Sequence, residues 1–268
     1  MKAYERFLEY VAVWTTSDEN SDTVPSAARE LDLAKKLVEE MKGLGIEDAR
    51  VDDKGYVYGS VPATPGCEDK AALGLIAHMD TAMDASGKDI KPQLIKNYDG
   101  GDVVLGTSGN VLSAAEFPHL AGLKGRTLIT TDGTTLLGAD DKAGIAEILT
   151  AVDEIIKEGL PHGKICIGFT PDEEIGRGSD HFDVEGFGAD YAYTLDGDAE
   201  GEIQYENFNA STGFVTCHGV SVHTGSAKDI MVNSQTIATE FHQMLPVDER
   251  PETTEGYEGF YHLNAMSG

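Results

Sequence analysis

The sequence predicts an α/β fold: a mostly parallel sheet covered by helices, followed by the start of a smaller α+β domain. Three observations predict it. Apolar runs at 71–77, 164–170 and 189–195 are short and continuous, as strands buried on both faces require. Helical periodicity stands beside them at 26–44 and 141–158. Strands alternating with helices build a sheet covered on both faces. The texture changes after about residue 205, which divides the chain into residues 1–205 and 206–268.

Taken in order, residues 1–14 read as a helix with Phe7, Leu8 and Val11 on one face, and 26–44 as a second through Leu31, Ala34, Leu37, Val38 and Met41. Pro25 stands near the second helix's start, and Gly43 and Gly45 close it. Val51 to Pro62 alternates around Asp52-Asp53-Lys54-Gly55, a hairpin pattern. Residues 82–126 are rich in Gly, Asp, Asn and Pro and read as a long excursion over the mouth of a site. Residues 127–137 read as a hairpin, and 141–158 as a helix with Ile145, Ile148, Leu149, Val152, Ile155 and Ile156 on one face. Beyond 205, 209–222 reads as a strand, 228–245 as a helix and 260–263 as a short strand.

Composition narrows the function. The 268 residues carry 20 basic and 47 acidic side chains, a formal charge of −27. Such acidity repels phosphates and excludes nucleic acid as a partner. No apolar run reaches the roughly 20 residues of a membrane span. The first 14 residues form an amphipathic pattern rather than a signal peptide. Cys67, Cys166 and Cys217 are too far apart for a zinc-finger spacing or a disulfide framework, which suggests a reducing cytoplasm.

The chemistry gathers where the apolar runs end. His78 and Asp80 follow the first, Glu173 and Glu174 the second, and Asp196 the third. Asp140 and Asp141 sit at the entry to the long helix, after the small residues Gly138 and Ala139. Either Asp can cap that helix by accepting a backbone N–H; a cap does not explain the pair. In open parallel sheets ligands bind beyond the carboxyl ends of the strands, so one rim would collect these groups. One histidine among several carboxylates suits a hard-to-borderline divalent cation. Two ions sharing a carboxylate is a known hydrolytic arrangement, and Asp140 offers the short acid at a helix start. His78 would bind one ion and Asp80 would hold its other ring nitrogen. With Glu174 tied to a metal, Glu173 is free to act as general base.

The stretches His78-Met79-Asp80-Thr81, Gly138-Ala139-Asp140-Asp141-Lys142-Ala143-Gly144, Thr170-Pro171-Asp172-Glu173-Glu174-Ile175-Gly176 and Thr194-Leu195-Asp196-Gly197 together resemble the peptidase T family, the tripeptide aminopeptidases among the two-zinc aminoacylase/carboxypeptidase-like metallopeptidases. Leu128 to Gly133 and Thr254 to His262 resemble it as well. The resemblance implies two zinc ions: His78 and Asp196 on one, Glu174 on the other, and Asp140 bridging. It implies that Asp80 orients His78 and that Glu173 moves the proton. It also implies that His223, in Val222-His223-Thr224-Gly225, stabilises the oxyanion from a lid domain through which such enzymes form homodimers; Thr224 stands where the family has proline. Family members continue past residue 268 to supply a last metal-binding histidine, so the sequence reads as the N-terminal part of such an enzyme. The alternatives are another dipeptidase or deacylase of the superfamily, or an inactive fragment.

Overall fold

The computed structural model describes residues 1–197 and 199–268. These divide into two compact units, Met1–Gln204 and Tyr205–Gly268. In the first, helix α1 (Ala3–Val11) and helix α2 (Glu30–Gly43) precede strands β1 (Arg50–Val51) and β2 (Val57–Val61). Strand β3 (Leu73–His78) follows, then the short strands β4 (Gln93–Ile95), β5 (Val103–Val104), β6 (Val111–Leu112) and β7 (Leu128–Thr130). Helix α3 (Ala139–Glu158), strand β8 (Ile165–Thr170), the single turn α4 (Val184–Phe187) and strand β9 (Tyr191–Thr194) complete the unit.

The main sheet has the order β1-β2-β8-β3-β9. Strand β3 lies parallel to both β8 and β9, with His78 opposite Thr170 and Ile76 opposite Thr194. The three apolar runs are therefore adjacent parallel strands ending at one rim. The α/β class holds, but the sheet is more mixed than expected, because β2 pairs antiparallel with both β1 and β8. The tight turn at 52–55 makes β1 and β2 an antiparallel hairpin, and periodicity carries no information on which way β2 then meets β8.

Side chains alternate across β8 as the pleat requires. Ile165, Ile167 and Phe169 join the larger core with α1, α2 and α3 on one face, through Leu33, Leu37, Met41, Ile145, Ile148, Leu149 and Val152. On the other face Cys166 joins Tyr56, Tyr58 and Phe187, with Phe182 edge-on to Tyr56 and Phe187. Every residue of β8 is buried, which is why its run shows no alternation.

A buried ion-pair network locks α1 to α2 and α3. Arg6 is 2 % exposed. Its guanidinium donates to Glu40 Oε1 at 2.7 Å, Asp153 Oδ2 at 3.0 Å, Thr150 Oγ1 at 3.0 Å and the carbonyl of Met1 at 3.0 Å. Burial alone would raise the Asp153 carboxyl, but Lys157 and Arg6 hold it below its ordinary value. Its contribution is thus present above the ordinary value of 3.8 and lost as pH falls through the lower folded value. Arg6→Met removes one partner from each of two acids, leaving Asp153 with Lys157 and Glu40 with Tyr10; it is expected to lower stability by about 1–3 kcal/mol, read from urea unfolding at pH 7. A change under 1 kcal/mol would show the network to be ornamental.

Some local expectations fail. Residues 127–137 are not a hairpin: β7 pairs antiparallel with the distant β4, Ile129 opposite Leu94. The excursion at 82–126 holds β4, β5 and β6 and its own cluster around Tyr98, Val103 and Leu120. In the second unit the expected helix is present as α5 (Ser234–Met244), capped by the Asn233 side chain accepting from the Gln235 N–H. The strands expected at 209–222 and 260–263 are not formed among the described residues; one isolated bridge joins Val220 and Val232. Strand-forming residues need a paired neighbour and a face to bury. Phe208, Phe214 and Val215 are instead exposed. No described helix is long and apolar enough to cross a membrane.

Candidate metal centre

His78, the last residue of β3, lies at the floor of the site with 2 % of its side chain exposed. The carboxylates rise around it towards solvent. Its Nε2 is 2.8 Å from Asp140 Oδ1, 3.8 Å from Glu173 Oε2 and 3.8 Å from Asp196 Oδ1. Two sets of ligand atoms each lie within 4.8 Å of one another: His78 with Glu173 and Asp196, and His78 with Asp140 and Glu174. All five rim residues proposed as metal ligands or general base are thus together, with His78 common to both sets.

Asp80 faces the opposite side of the imidazole. Its Oδ1 is 3.3 Å from His78 Nδ1, and its backbone carbonyl is 3.1 Å from the same nitrogen. Asp80 also does something that spacing did not indicate. Its Oδ1 accepts the Glu173 N–H at 3.0 Å and its Oδ2 accepts the Glu174 N–H at 3.1 Å. The carboxylate that orients the histidine therefore also seats the turn carrying both glutamates. Ser17 Oγ donates to Oδ2 as well.

The aspartate pair divides its work. Asp141 is the capping residue: its Oδ1 accepts the Gly144 N–H at 3.1 Å and its Oδ2 the His78 N–H at 3.2 Å. Asp140, joined to it by a cis peptide, turns outward to the imidazole. Gly144 follows from close packing. A Cβ there would collide with the carbonyl oxygen of Leu195 and with Asp141 Oδ1. Helix α3 thus rests directly on the backbone that leads into Asp196. Gly144→Ala is expected to destabilise by about 1–3 kcal/mol and to weaken metal binding, as checked by thermal melting and metal titration; an unperturbed variant would refute the contact.

The turn bearing Glu173 and Glu174 is anchored from below. Asp172 is fully buried in the left-handed conformation (φ +58°). Its carboxylate accepts the Ser26 N–H at 2.9 and 2.8 Å, and its own N–H donates to Glu30 Oε2 at 3.2 Å. Sequence reasoning passed over Ser17, Ser26, Glu30 and Asp172. Only the Pro171-Asp172 dipeptide signalled a turn. Lys142 was also missed: it is fully buried, and its Nζ donates to the Val13 carbonyl at 2.8 Å.

Crowded negative charge governs the electrostatics. Burial disfavours the imidazolium of His78, but hydrogen bonding and charge from Asp80, with Asp141 and Asp196, outweigh it and push His78 up to about 10. Burial and the neighbouring Asp140 push Glu174 up to about 7. Burial, with Asp140 and Glu173 outweighed only in part by His78, pushes Asp196 up to about 6. Four carboxylates thus lean on one imidazole for compensation. A divalent cation on these oxygen and nitrogen donors fits that charge and chemistry; Nε2 would ligate while Nδ1 stays on Asp80. His223 belongs to the second unit, where it is exposed and its Nδ1 accepts the Gly225 N–H at 3.1 Å.

Comparison with known proteins bears on the family and the fold. The peptidase dimerisation domain family matches residues 205–267. Peptidase T of Clostridium acetobutylicum is 57 % identical over 266 residues, which cover 98 % of this chain and 65 % of that protein. Peptidase T of Aliivibrio fischeri is 56 % identical over 265 residues, covering 98 % and 64 %. The chain therefore spans just under two thirds of the length of these curated relatives. Among solved structures, the aminopeptidase PepT of Bacillus cereus aligns with a TM-score of 0.57 at 24 % identity, over 91 % of this chain and 56 % of that one. A tripeptidase of Staphylococcus aureus aligns with 0.59 at 21 % identity, over 95 % and 58 %; at such identities these two speak for the fold. Sequence identity along the whole chain, the shared fold and the clustered rim residues agree: the chain belongs to the peptidase T family.

Proposed function

We propose that this chain forms the metal-binding part of an aminopeptidase that releases the N-terminal residue of tripeptides. The observation that carries the reading is the placement of His78 between two carboxylate sets on one rim. The relatives named peptidase T support a peptidase, and the structure described as a tripeptidase supports the substrate class. In this reading His78 and Asp196 would hold one zinc ion and Glu174 a second, with Asp140 available to both. Such ions would supply Lewis acidity and lower the pKa of water. Glu173 accepts a proton from the water whose oxygen attacks the peptide carbonyl carbon. It then delivers that proton to the amide nitrogen as the C–N bond breaks. Asp80 keeps His78 and the Glu173 backbone in register throughout.

Residues 1–205 are the catalytic domain in this reading, and 206–268 begin a lid domain through which two copies associate; the dimerisation-domain match supports the latter. His223 serves as an oxyanion donor from that domain. The cytoplasm is the proposed compartment, in keeping with three free cysteines. The test is tripeptide hydrolysis before and after chelation. Removal of metal should abolish turnover, and zinc should restore it. Chelator-resistant hydrolysis, or cleavage of acylated amino acids with tripeptides left intact, would overturn the assignment.

A further inference from the structure

We propose that Ser17 is a positioning residue for the metal centre, acting through Asp80 on both His78 and the Glu173-Glu174 turn. The inference rests on the metal centre proposed above. Ser17 lies far from the rim in sequence and belongs to none of the motifs. It is 2 % exposed, and its Oγ donates to Asp80 Oδ2. That oxygen also accepts the Glu174 N–H, while Oδ1 takes the Glu173 N–H and faces His78 Nδ1. Asp80 itself is fully buried. A carboxylate surrounded by donors in this way has one orientation only while all of them are present. Ser17 supplies the side-chain donor that does not itself belong to the site.

The surroundings hold Ser17 in place for that role. Its N–H donates to the Thr81 carbonyl at 3.2 Å, and the Thr81 N–H donates to the Thr15 carbonyl at 3.3 Å. Residues 15–17 thus run beside the segment following β3 as a short parallel strap, bridged at Thr16 and Thr81. Arg29 clamps the strap from outside. Its guanidinium donates to the carbonyls of Thr16 and Ser17 and stacks 4.3 Å over the Trp14 ring. Without the hydroxyl, Asp80 can rotate, and the imidazole and glutamate turn that it holds are no longer set relative to each other.

Groups that orient metal ligands typically contribute 10–100-fold to metal affinity. The experiment is a Co²⁺ titration of the full chain, freed of metal, followed by the visible d–d absorption of the bound ion. Ser17→Ala should weaken Co²⁺ binding by about tenfold and change the d–d spectrum, and Ser17→Thr, which keeps the hydroxyl, should restore both. Arg29→Gln, which loosens the strap without touching Asp80, should weaken binding in the same direction and keeps the test open if Ser17→Ala folds poorly. His78→Ala separates the two claims. Loss of Co²⁺ in His78→Ala with wild-type affinity and spectrum in Ser17→Ala overturns the role of Ser17 alone. Wild-type affinity in His78→Ala, or no binding by the parent chain, overturns the metal centre and this inference with it.

Discussion

Glu173→Ala is expected to lower tripeptide turnover by about 10²–10⁴-fold while the metal content stays at the parent value. The two readouts are needed because Glu173 stands close to the ligands. Its Oε2 is 3.8 Å from His78 Nε2, and it shares a potential ligand set with His78 and Asp196. A general base and a metal ligand differ in what their removal does. Loss of the base takes away the proton acceptor and leaves the ions held by His78, Asp140, Glu174 and Asp196. Loss of a ligand takes the ion as well. The backbone of the turn should be undisturbed, because Asp80 holds it through the Glu173 N–H rather than the side chain. Initial rates with saturating tripeptide, beside metal analysis of the same sample, decide the matter. A fall in turnover matched by a fall in bound metal would move Glu173 from base to ligand.

The second large effect is expected at His78. It is the one nitrogen donor in the two ligand sets and, in the proposed arrangement, holds the ion that Asp196 also holds, so His78→Ala should weaken binding of that ion by about 100-fold. Asp196→Ala and Glu174→Ala each leave one set intact and should each spare one ion. Competition against a chelator of known affinity measures this directly. Loss of both ions in Glu174→Ala, or of neither in His78→Ala, would mean that the two sets do not act as separate sites.

The rim was legible in the sequence because it is built at boundaries. Each proposed ligand but Asp140, which opens a helix, follows a point where a continuous apolar run stops, and such runs are visible without knowing what they pair with. The order β8-β3-β9 then places those ends side by side. Pairing and direction were not legible. The antiparallel approach of β2 to β8 and the meeting of β4 with β7 are set by tertiary contacts, which no local pattern records. The aspartate pair was legible as a cap plus something more; the fold makes Asp141 the cap and Asp140 the exposed carboxylate. The supporting residues were hidden for a different reason. Ser17 stands outside every motif and Ser26 and Glu30 read as ordinary residues at a helix start, while their partners lie 63, 146 and 142 positions away.

The contact at Gly144 separates two properties that usually change together. In most sites the spacing of ligands is inherited from the packing of a core, so a mutation that loosens the core also loosens the site. Here Asp140 and Asp196 are carried by a helix and a strand end that touch through backbone, at a residue with no side chain to trim or enlarge. Leu195 also packs on the core that holds Ile148 and Val152, so a change of size on that face of α3 is expected to cost folding free energy and to move the gauge between the two carboxylates less than Gly144→Ala does. Thermal melting beside metal titration of Ile148→Val and Gly144→Ala compares the two.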